Sequence, residues 1–360
     1  MRVLVAPDSF KQSLGAAEVA AALAAGWRQV RPDDQVTELP LADGGEGTLE
    51  VIAAAVPGSV RHGVPAVTGP DGHPHQAGWL AMPAGRAVVE LAQCCGIGLL
   101  GTSDPLGAHT RGLGEVIAAA LDAGARALVV ALGGSASTDG GSGALAALGL
   151  RSVDAAGRWI GPGGGALPGL AGVDRTALRP PPRDGVELLV DVVNPLLGPA
   201  GAAAVFGPQK GAGPVEVAIL EAGLARWSQL LGGDPDQAGA GAAGGTGYGL
   251  ATVWGARITS GAERVGELAG LAAAVRRADV VITGEGRLDR TSLSGKVTGH
   301  VARVAAAAGR PCLAAVGQAE PRLRWPGGRV ITLVDVLGSM EAAFRHTRAG
   351  LERAGGLLAG

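Results

Sequence analysis

Near the carboxyl end of the chain, the stretch VITGEGRLDRTSLSGK at residues 281–296 sets Glu285, Asp289 and Lys296 just beyond an apolar run. Carboxylates can hold a divalent cation and a lysine can hold a phosphate, so these residue types together are what phosphoryl transfer requires. Val280, Val281 and Ile282, with no polar alternation, predict a strand covered on both faces, as in a parallel sheet. Gly284 and Gly286 predict a sharp turn that leaves Glu285 and Asp289 at the strand's carboxyl end. Gly295 and Lys296 then open a predicted helix over 300–308, whose amino terminus favours an anion.

Strand-turn-helix units of this kind recur. Residues 2–6 predict a strand ending at Pro7-Asp8-Ser9, followed by Lys11 and a helix over 16–27 with Ser13 as its N-cap and Val19, Leu23 and Trp27 on one face. A strand over 35–39 leads to LADGGEGT at 41–48, with Asp43 and Glu46 at the turn and a helix from Leu49 onward. The strand over 127–132 runs into GGSASTDGGSG at 133–143. Glycines there free backbone amides to cradle a phosphate, beside the hydroxyls of Ser135, Ser137 and Thr138 and in front of a helix from Ala144. This pattern matches neither GxxxxGK[ST] nor GxGxxG, and alone it also fits a structural turn. A strand over 186–190 delivers Asp191 and Asn194, before Pro195 stops the run. That pair suits a magnesium ion, a proton taken from an attacking hydroxyl, or a turn capped by its own side chains.

Composition narrows the choice. Of thirty basic residues only Lys11, Lys210 and Lys296 are lysine, and Asn194 is the one asparagine. All three lysines lie in glycine-containing turns (DSFKQS, GPQKGA, LSGKV), where an arginine would lose the geometry. A net charge of −2 without clustered basic residues offers no footprint for nucleic acid or a membrane surface, which leaves small molecules as partners. The opening MRVLVAPDSF has too short an apolar run for a signal peptide or a span, so a cytoplasmic protein is expected. Cys94, Cys95 and Cys312, odd in number and two of them adjacent, fit buried apolar positions and no disulfide framework.

Between these motifs, turns at 70–72 and 83–85 predict antiparallel hairpins over 60–91, and 113–123 and 215–231 predict helices. The tract AGAGAAGGTGYG at 238–249 reads as a packed glycine-rich loop. Strands over 312–316 and 330–334 and a closing helix over 340–353 complete the chain. Strands followed by helices along most of 360 residues predict an α/β protein of about two domains with a mostly parallel sheet.

Taken in order, APDSFKQSL, PLADGGEGT, GGSASTDGGSG, DVVNPLLGPAGAAAVFGPQKGA, GAGAAGG and ITGEGRLD with GK resemble the bacterial glycerate kinases of the glycerate kinase I type, from residue 3 to about 320. The resemblance implies phosphorylation of glycerate by ATP, with magnesium, to 2-phosphoglycerate or 3-phosphoglycerate. It also implies a Rossmann-like domain, expected at 1–62 and 278–360, and a second, inserted α/β domain with antiparallel hairpins at 63–277, with an active-site cleft between them. Within that frame Asp191 and Asp8 are expected as base or metal ligand, and Lys11, Lys210 and Lys296 on phosphate or on the substrate's carboxylate. Glu285 and Asp289 are expected on the magnesium side. Gly133, Gly134, Ser135, Ser9 and Asn194 are expected to bind substrate or phosphate, with Asp43 and Glu46 as further candidates. Four positions depart from the family pattern: Gln12 replaces a usual glycine, Arg111 an aromatic, Thr138 an asparagine and Thr291 a glutamine. A kinase for a related hydroxy acid and a non-catalytic ligand-binding protein are the alternatives, and homo-oligomerisation is left open. A nicotinamide dehydrogenase would need GxGxxG where Pro7-Asp8-Ser9-Phe10-Lys11 stands.

Overall fold

The structure is a computed structural model describing residues 1–360, the side chain of Ser294 excepted. Its strands are β1 (Arg2–Val5), β2 (Gln35–Glu38), β3 (Val60–Thr68), β4 (Pro74–Met82), β5 (Arg86–Glu90), β6 (Ala127–Ala131), β7 (Arg151–Val153), β8 (Gly172–Asp174), β9 (Val186–Val190), β10 (Arg257–Ser260), β11 (Val280–Leu288), β12 (Cys312–Ala319) and β13 (Val330–Thr332). They are distributed over two units: residues 1–43, 50–57 and 260–360 form the first, and residues 44–49 and 58–259 the second. The sequence placed the joins at 62/63 and 277/278.

The first unit is built on a sheet ordered β13-β12-β11-β1-β2, with all neighbours parallel. The chain thus enters at β1, steps to β2, and returns to the other side of β1 at β11. The point where strand order reverses lies between β1 and β11, and in open α/β sheets ligands bind outside the carboxyl ends of strands at that point. Val3, Val5, Val280, Ile282 and Ala315 are buried with the helices Ala16–Val30 and Thr347–Ala359 on one face of the sheet, and Leu4 and Val281 between them in sequence are buried as well, which is why these strands read as unbroken apolar runs. The two helices cross at backbone contact: a Cβ on Gly26 would stand 1.8 Å from the Glu352 carbonyl oxygen, and one on Gly355 2.3 Å from that of Leu23.

The second unit carries a mixed sheet ordered β10-β9-β6-β5-β4-β3, with β3, β4 and β5 antiparallel as the turns at 70–72 and 83–85 predict, and β5, β6 and β9 parallel. β3 is an edge strand, exposed along most of its length and interrupted by Pro65. Val89, Leu128, Val130 and Leu188 face a core completed by Leu113, Ile117, Trp227 and Tyr248. The α/β class with one parallel sheet and one sheet containing hairpins is therefore as the sequence predicts.

Four local expectations are corrected. Gly284 and Gly286 do not turn the chain: β11 continues through them, pairing Glu285 with Val316, Arg287 with Gln318 and Leu288 with Ala319. The missing side chain of Gly284 lets β11 and β12 approach closely, since a Cβ there would stand 2.2 Å from the Ala315 carbonyl oxygen. Ser13 does not cap the first helix, because its hydroxyl meets that of Thr347 at 2.5 Å while the Gly15 N–H donates to the Glu18 carboxylate at 3.2 Å. The glycine-rich tract is not all loop: it enters the helix Ala242–Trp254, whose first turn is left-handed at Ala243, Gly244 and Gly245 and whose remainder is helical. The closing helix is two helices, Met340–Arg345 and Thr347–Ala359. The three cysteines are free and buried, as expected, and among the described residues no helix is long and apolar enough to cross a membrane.

Candidate active site

The carboxyl ends of β1, β2 and β11 line a cavity of about 300 Å³ in the first unit, walled by Asp8, Ser9, Lys11, Asp43, Glu285, Gly286 and Lys296 among others. Each is delivered by an identifiable constraint. Asp8 follows β1, and its N–H donates to the Gly284 carbonyl at 2.9 Å, which fixes the β1 end against β11. Its carboxylate accepts the Ser9 N–H at 2.7 Å. Residues 39–43 extend β2 beside the end of β1, with the Leu41 N–H on the Pro7 carbonyl at 2.9 Å, and bring Asp43 to the cavity. Lys11 stands at the tip of a tight loop closed by reciprocal backbone bonds between Phe10 and Leu14, and its Nζ lies 3.8 Å from Asp43 Oδ2. Lys296 is the N-cap residue of the helix Val297–Ala307.

Asp8, Asp43 and Glu285 are all at most 5% exposed, so the cavity floor concentrates negative charge away from water. Burial drives the Asp8 carboxyl well above the usual range, and the neighbouring Asp43 charge adds to it. Glu285 is pushed up to about 7, chiefly by burial and against the pull of Lys296. Its Oε1 is buried with no hydrogen-bond partner among the described residues. Such an oxygen is a group held in readiness for a proton or a ligand.

Glu285 and Asp289, expected as a pair, have separate surroundings. Asp289 is the N-cap of the helix Arg290–Ser294: Oδ1 accepts the N–H groups of Thr291 at 2.9 Å and Ser292 at 3.1 Å, while Ser292 Oγ accepts the Asp289 N–H at 3.0 Å. Burial raises its carboxyl, but the Thr291 hydroxyl, Lys296 and these N–H groups outweigh it and hold the group below the usual range.

In the second unit the carboxyl ends of β5, β6 and β9 carry the remaining candidates. The Gly133 N–H donates to the Gly44 carbonyl at 2.9 Å, so that amide serves the fold and is not available to a phosphate, which corrects its expected role. Gly134 has φ 76°, a conformation that favours glycine. Ser135 Oγ and Ser137 Oγ lie 3.2 Å apart. Lys210 is buried, donates to the Ser137 carbonyl, and is pushed down to about 8 by burial, opposed by Asp139. Asn194 donates its amide to the Ala200 carbonyl at 2.7 Å and so closes the loop after β9. Asp191 follows β9, half-buried, and Glu46 is exposed.

Two acidic residues went unnoticed in the sequence. Asp139, fully buried inside the GGSASTDGGSG loop, accepts from the Thr110 N–H and hydroxyl, the Gly141 N–H and the Gly143 N–H at 2.8–3.1 Å. Its flanking glycines were the available signal. Glu90, at the end of β5, accepts the N–H groups of Gly47 at 3.1 Å and Leu49 at 2.9 Å, and no local pattern marks it.

The departures from the family pattern have structural counterparts. Gln12 adopts φ 66°, a backbone that suits glycine. Thr138 is buried with Oγ1 unpartnered among the described residues. Arg111 Nε donates to Glu115 Oε1 at 3.0 Å, so its charge is compensated locally. The Thr291 hydroxyl donates to Asp289 Oδ1 at 2.6 Å.

Comparison with known proteins places this geometry in company. The model of the "Glycerate kinase family" matches residues 3–359. The chain is similar to a Bacillus subtilis protein named "Glycerate kinase", 41% identical over 98% of this chain and 95% of that one. It is 39% identical to the "Glycerate 2-kinase" of Escherichia coli over 98% of this chain and 96% of the other. Among solved structures, a "putative glycerate kinase 2 from Salmonella typhimurium LT2" superposes with a TM-score of 0.81 at 37% identity, covering 100% of this chain and 97% of that one.

Proposed function

Since the chain belongs to the glycerate kinase family, we propose that it transfers the terminal phosphoryl group of ATP to the 2-hydroxyl of D-glycerate, releasing ADP and 2-phosphoglycerate. The observation that carries the reading is the family match over residues 3–359 together with a cavity that joins buried carboxylates to Lys11 and Lys296 at the strand-order reversal. The 39% identity to the protein named "Glycerate 2-kinase" supports the 2-hydroxyl as acceptor.

Phosphoryl transfer needs charge neutralisation and alignment more than covalent help. Lys11 and Lys296, with the amino terminus of the helix Val297–Ala307, neutralise the phosphoryl oxygens in this scheme. Glu285, pushed up to about 7 with a free Oε1, accepts the proton that the glycerate hydroxyl loses as its oxygen bonds to phosphorus. The residues also suit a magnesium ion. Among the described residues no three acidic, histidine or cysteine side chains form a cage, but magnesium at phosphoryl-transfer sites is held by one or two carboxylates plus substrate phosphates. Asp8 and Asp43 would hold it, because a dication removes the repulsion that helps drive the Asp8 carboxyl up. When bound, magnesium neutralises charge developing on the phosphates. Ser9 in the first unit, and Ser135, Asp191, Asn194 and Lys210 in the second, remain proposed substrate contacts. Asp289 is assigned to capping.

Coupled ADP release with D-glycerate, ATP and magnesium tests the activity, and phosphorus NMR of the product reads the position of the new ester. The Lys296→Ala variant, folded by circular dichroism, is expected to lose about a hundredfold in kcat/KM. No ADP release from folded wild-type protein with glycerate or a panel of related hydroxy acids would overturn the reading.

A further inference from the structure

One side of the cavity in the first unit is not explained by a three-carbon acid. Besides its charged residues it is walled by Phe10, Leu333, Met340, Ala343 and Phe344. Leu333 and Ala343 are buried, whereas Met340 is 50% and Phe344 55% exposed, so two large apolar side chains of the helix Met340–Arg345 stand at the cavity without a protein covering. From Asp43, after β2, to Gly317 and Gln318 on β12, the lining crosses three inter-strand spacings, roughly 14 Å. Glycerate spans a fraction of that distance and offers no apolar surface to such a wall. A nucleoside triphosphate spans it, with charge at one end and a flat ring at the other.

We infer that this wall is the base subsite of the phosphate donor: the nucleobase of ATP lies against Phe344 and Met340, and its phosphates extend along the β11 and β12 ends toward Lys296 and Lys11. The inference rests on the kinase reading above and adds to it the location of the donor. Three features carry it. The charged lining comes mostly from the ends of β1, β2 and β11, whereas Leu333, Met340, Ala343 and Phe344 come from the helices after β13. A volume of about 300 Å³ lies in the range of pockets that enclose a ligand larger than glycerate. The ladder between β12 and β13 ends at Val316 and Thr332, so the backbone of Gly317 and Gln318 continues past its neighbour and presents a polar edge beside the apolar wall. A ring face on an aromatic side chain with a polar edge on backbone groups is how sequence-tolerant base recognition is built.

The test is ADP titration by calorimetry, without glycerate, on the wild-type protein and on Phe344→Ala and Met340→Ala, with inorganic tripolyphosphate as the probe that lacks a base. Both side chains are half exposed, so truncation leaves the core intact, and matched thermal transitions verify it. Phe344→Ala is expected to weaken ADP about tenfold, as loss of a stacking partner does, to raise KM for ATP in parallel, and to leave tripolyphosphate affinity and KM for glycerate within twofold. Unchanged ADP affinity, equal weakening of tripolyphosphate, or a shift confined to KM for glycerate would each overturn the subsite. ADP binding that depends on Phe344 in a protein that phosphorylates no hydroxy acid would sustain the subsite and sink the kinase reading. Turnover of glycerate with ADP binding indifferent to Phe344 would do the reverse.

Discussion

Glu285 carries the most testable electrostatics in the molecule. Its carboxyl is pushed up to about 7 in the folded chain against an ordinary value of 4.5, so the folded state holds a proton that the unfolded state has released. A raised pKa means that stability is highest at or below the unfolded value, declines as pH rises from about 4.5 to 7, and stays reduced above it. The full penalty is about 3 kcal/mol. Glu285→Gln removes the titration while keeping the shape, so in metal-free buffer the variant should gain about 2–3 kcal/mol on the wild type between pH 5 and pH 8, while losing activity. Urea unfolding at the two pH values measures this, and an equal difference at both would refute the assignment. Gln12 makes a steric case. At φ 66° a non-glycine residue costs about 1 kcal/mol, and a β-branched one more. Gln12→Gly should be close to neutral, because relief of strain is offset by the freedom glycine gains in the unfolded chain. Gln12→Val should lose about 2 kcal/mol of stability, read as a lowered Tm, and a valine variant as stable as the wild type would show that the loop is not held left-handed.

Elements whose boundaries coincide with changes of chemistry were legible in the sequence. β9 runs from Val186 to Val190 as predicted because glycine precedes its apolar run and an aspartate ends it, and the helix Pro214–Leu231 begins at a proline and ends at a glycine. β11 reads as too short in the sequence because glycine ordinarily marks a turn, whereas Gly284 permits a close strand approach that only the partner strand reveals. The helix Ala242–Trp254 was hidden for a related reason. Its alanines and glycines carry no apolar periodicity, and its burial depends on a contact in which a Cβ on Gly249 would stand 2.2 Å from the Gly140 carbonyl oxygen. For the site, carboxylates next to strand ends were found, since parallel sheets place function there, but which carboxylate faces the cavity and which caps a helix is a matter of side-chain direction, as Glu285 and Asp289 demonstrate. Asp139 belongs to the same lesson: an acidic residue in a glycine-rich loop that builds the loop. Asp139→Asn turns one acceptor oxygen into a donor facing an N–H group and removes the charge from four hydrogen bonds. The expected loss is about 3 kcal/mol, with a matching fall in the urea midpoint, and a loss below about 1 kcal/mol would mean the loop is held by other contacts.

At the scale of the whole molecule, the chain does not give each unit a continuous piece of sequence. Residues 44–49 belong to the second unit although the residues on both sides belong to the first. The reason is visible in the bonds they make: Gly44 O accepts the Gly133 N–H at 2.9 Å, and the N–H groups of Gly47 and Leu49 meet the Glu90 carboxylate. Glu90 is only 1% exposed, so these N–H groups are part of what makes its charge tolerable at the end of β5. A fragment cut at the obvious place, residues 58–259, keeps the strands of the second sheet but for Ser260 at the end of β10, and deprives Glu90 of two donors. Hydrogen bonds to a charged group contribute about 1.5–3 kcal/mol each, so losing two of them takes a large share of the roughly 5–15 kcal/mol by which a domain is stable. A fragment of residues 44–259 retains the donors. We therefore expect the longer fragment to unfold cooperatively in urea and the shorter one to unfold at clearly lower denaturant or without a transition. Glu90→Gln should narrow the gap, since a neutral amide in the short fragment has less to lose. Equal midpoints for the two fragments would mean that the six-residue excursion is passive, and that Glu90 is satisfied by the rest of the second unit.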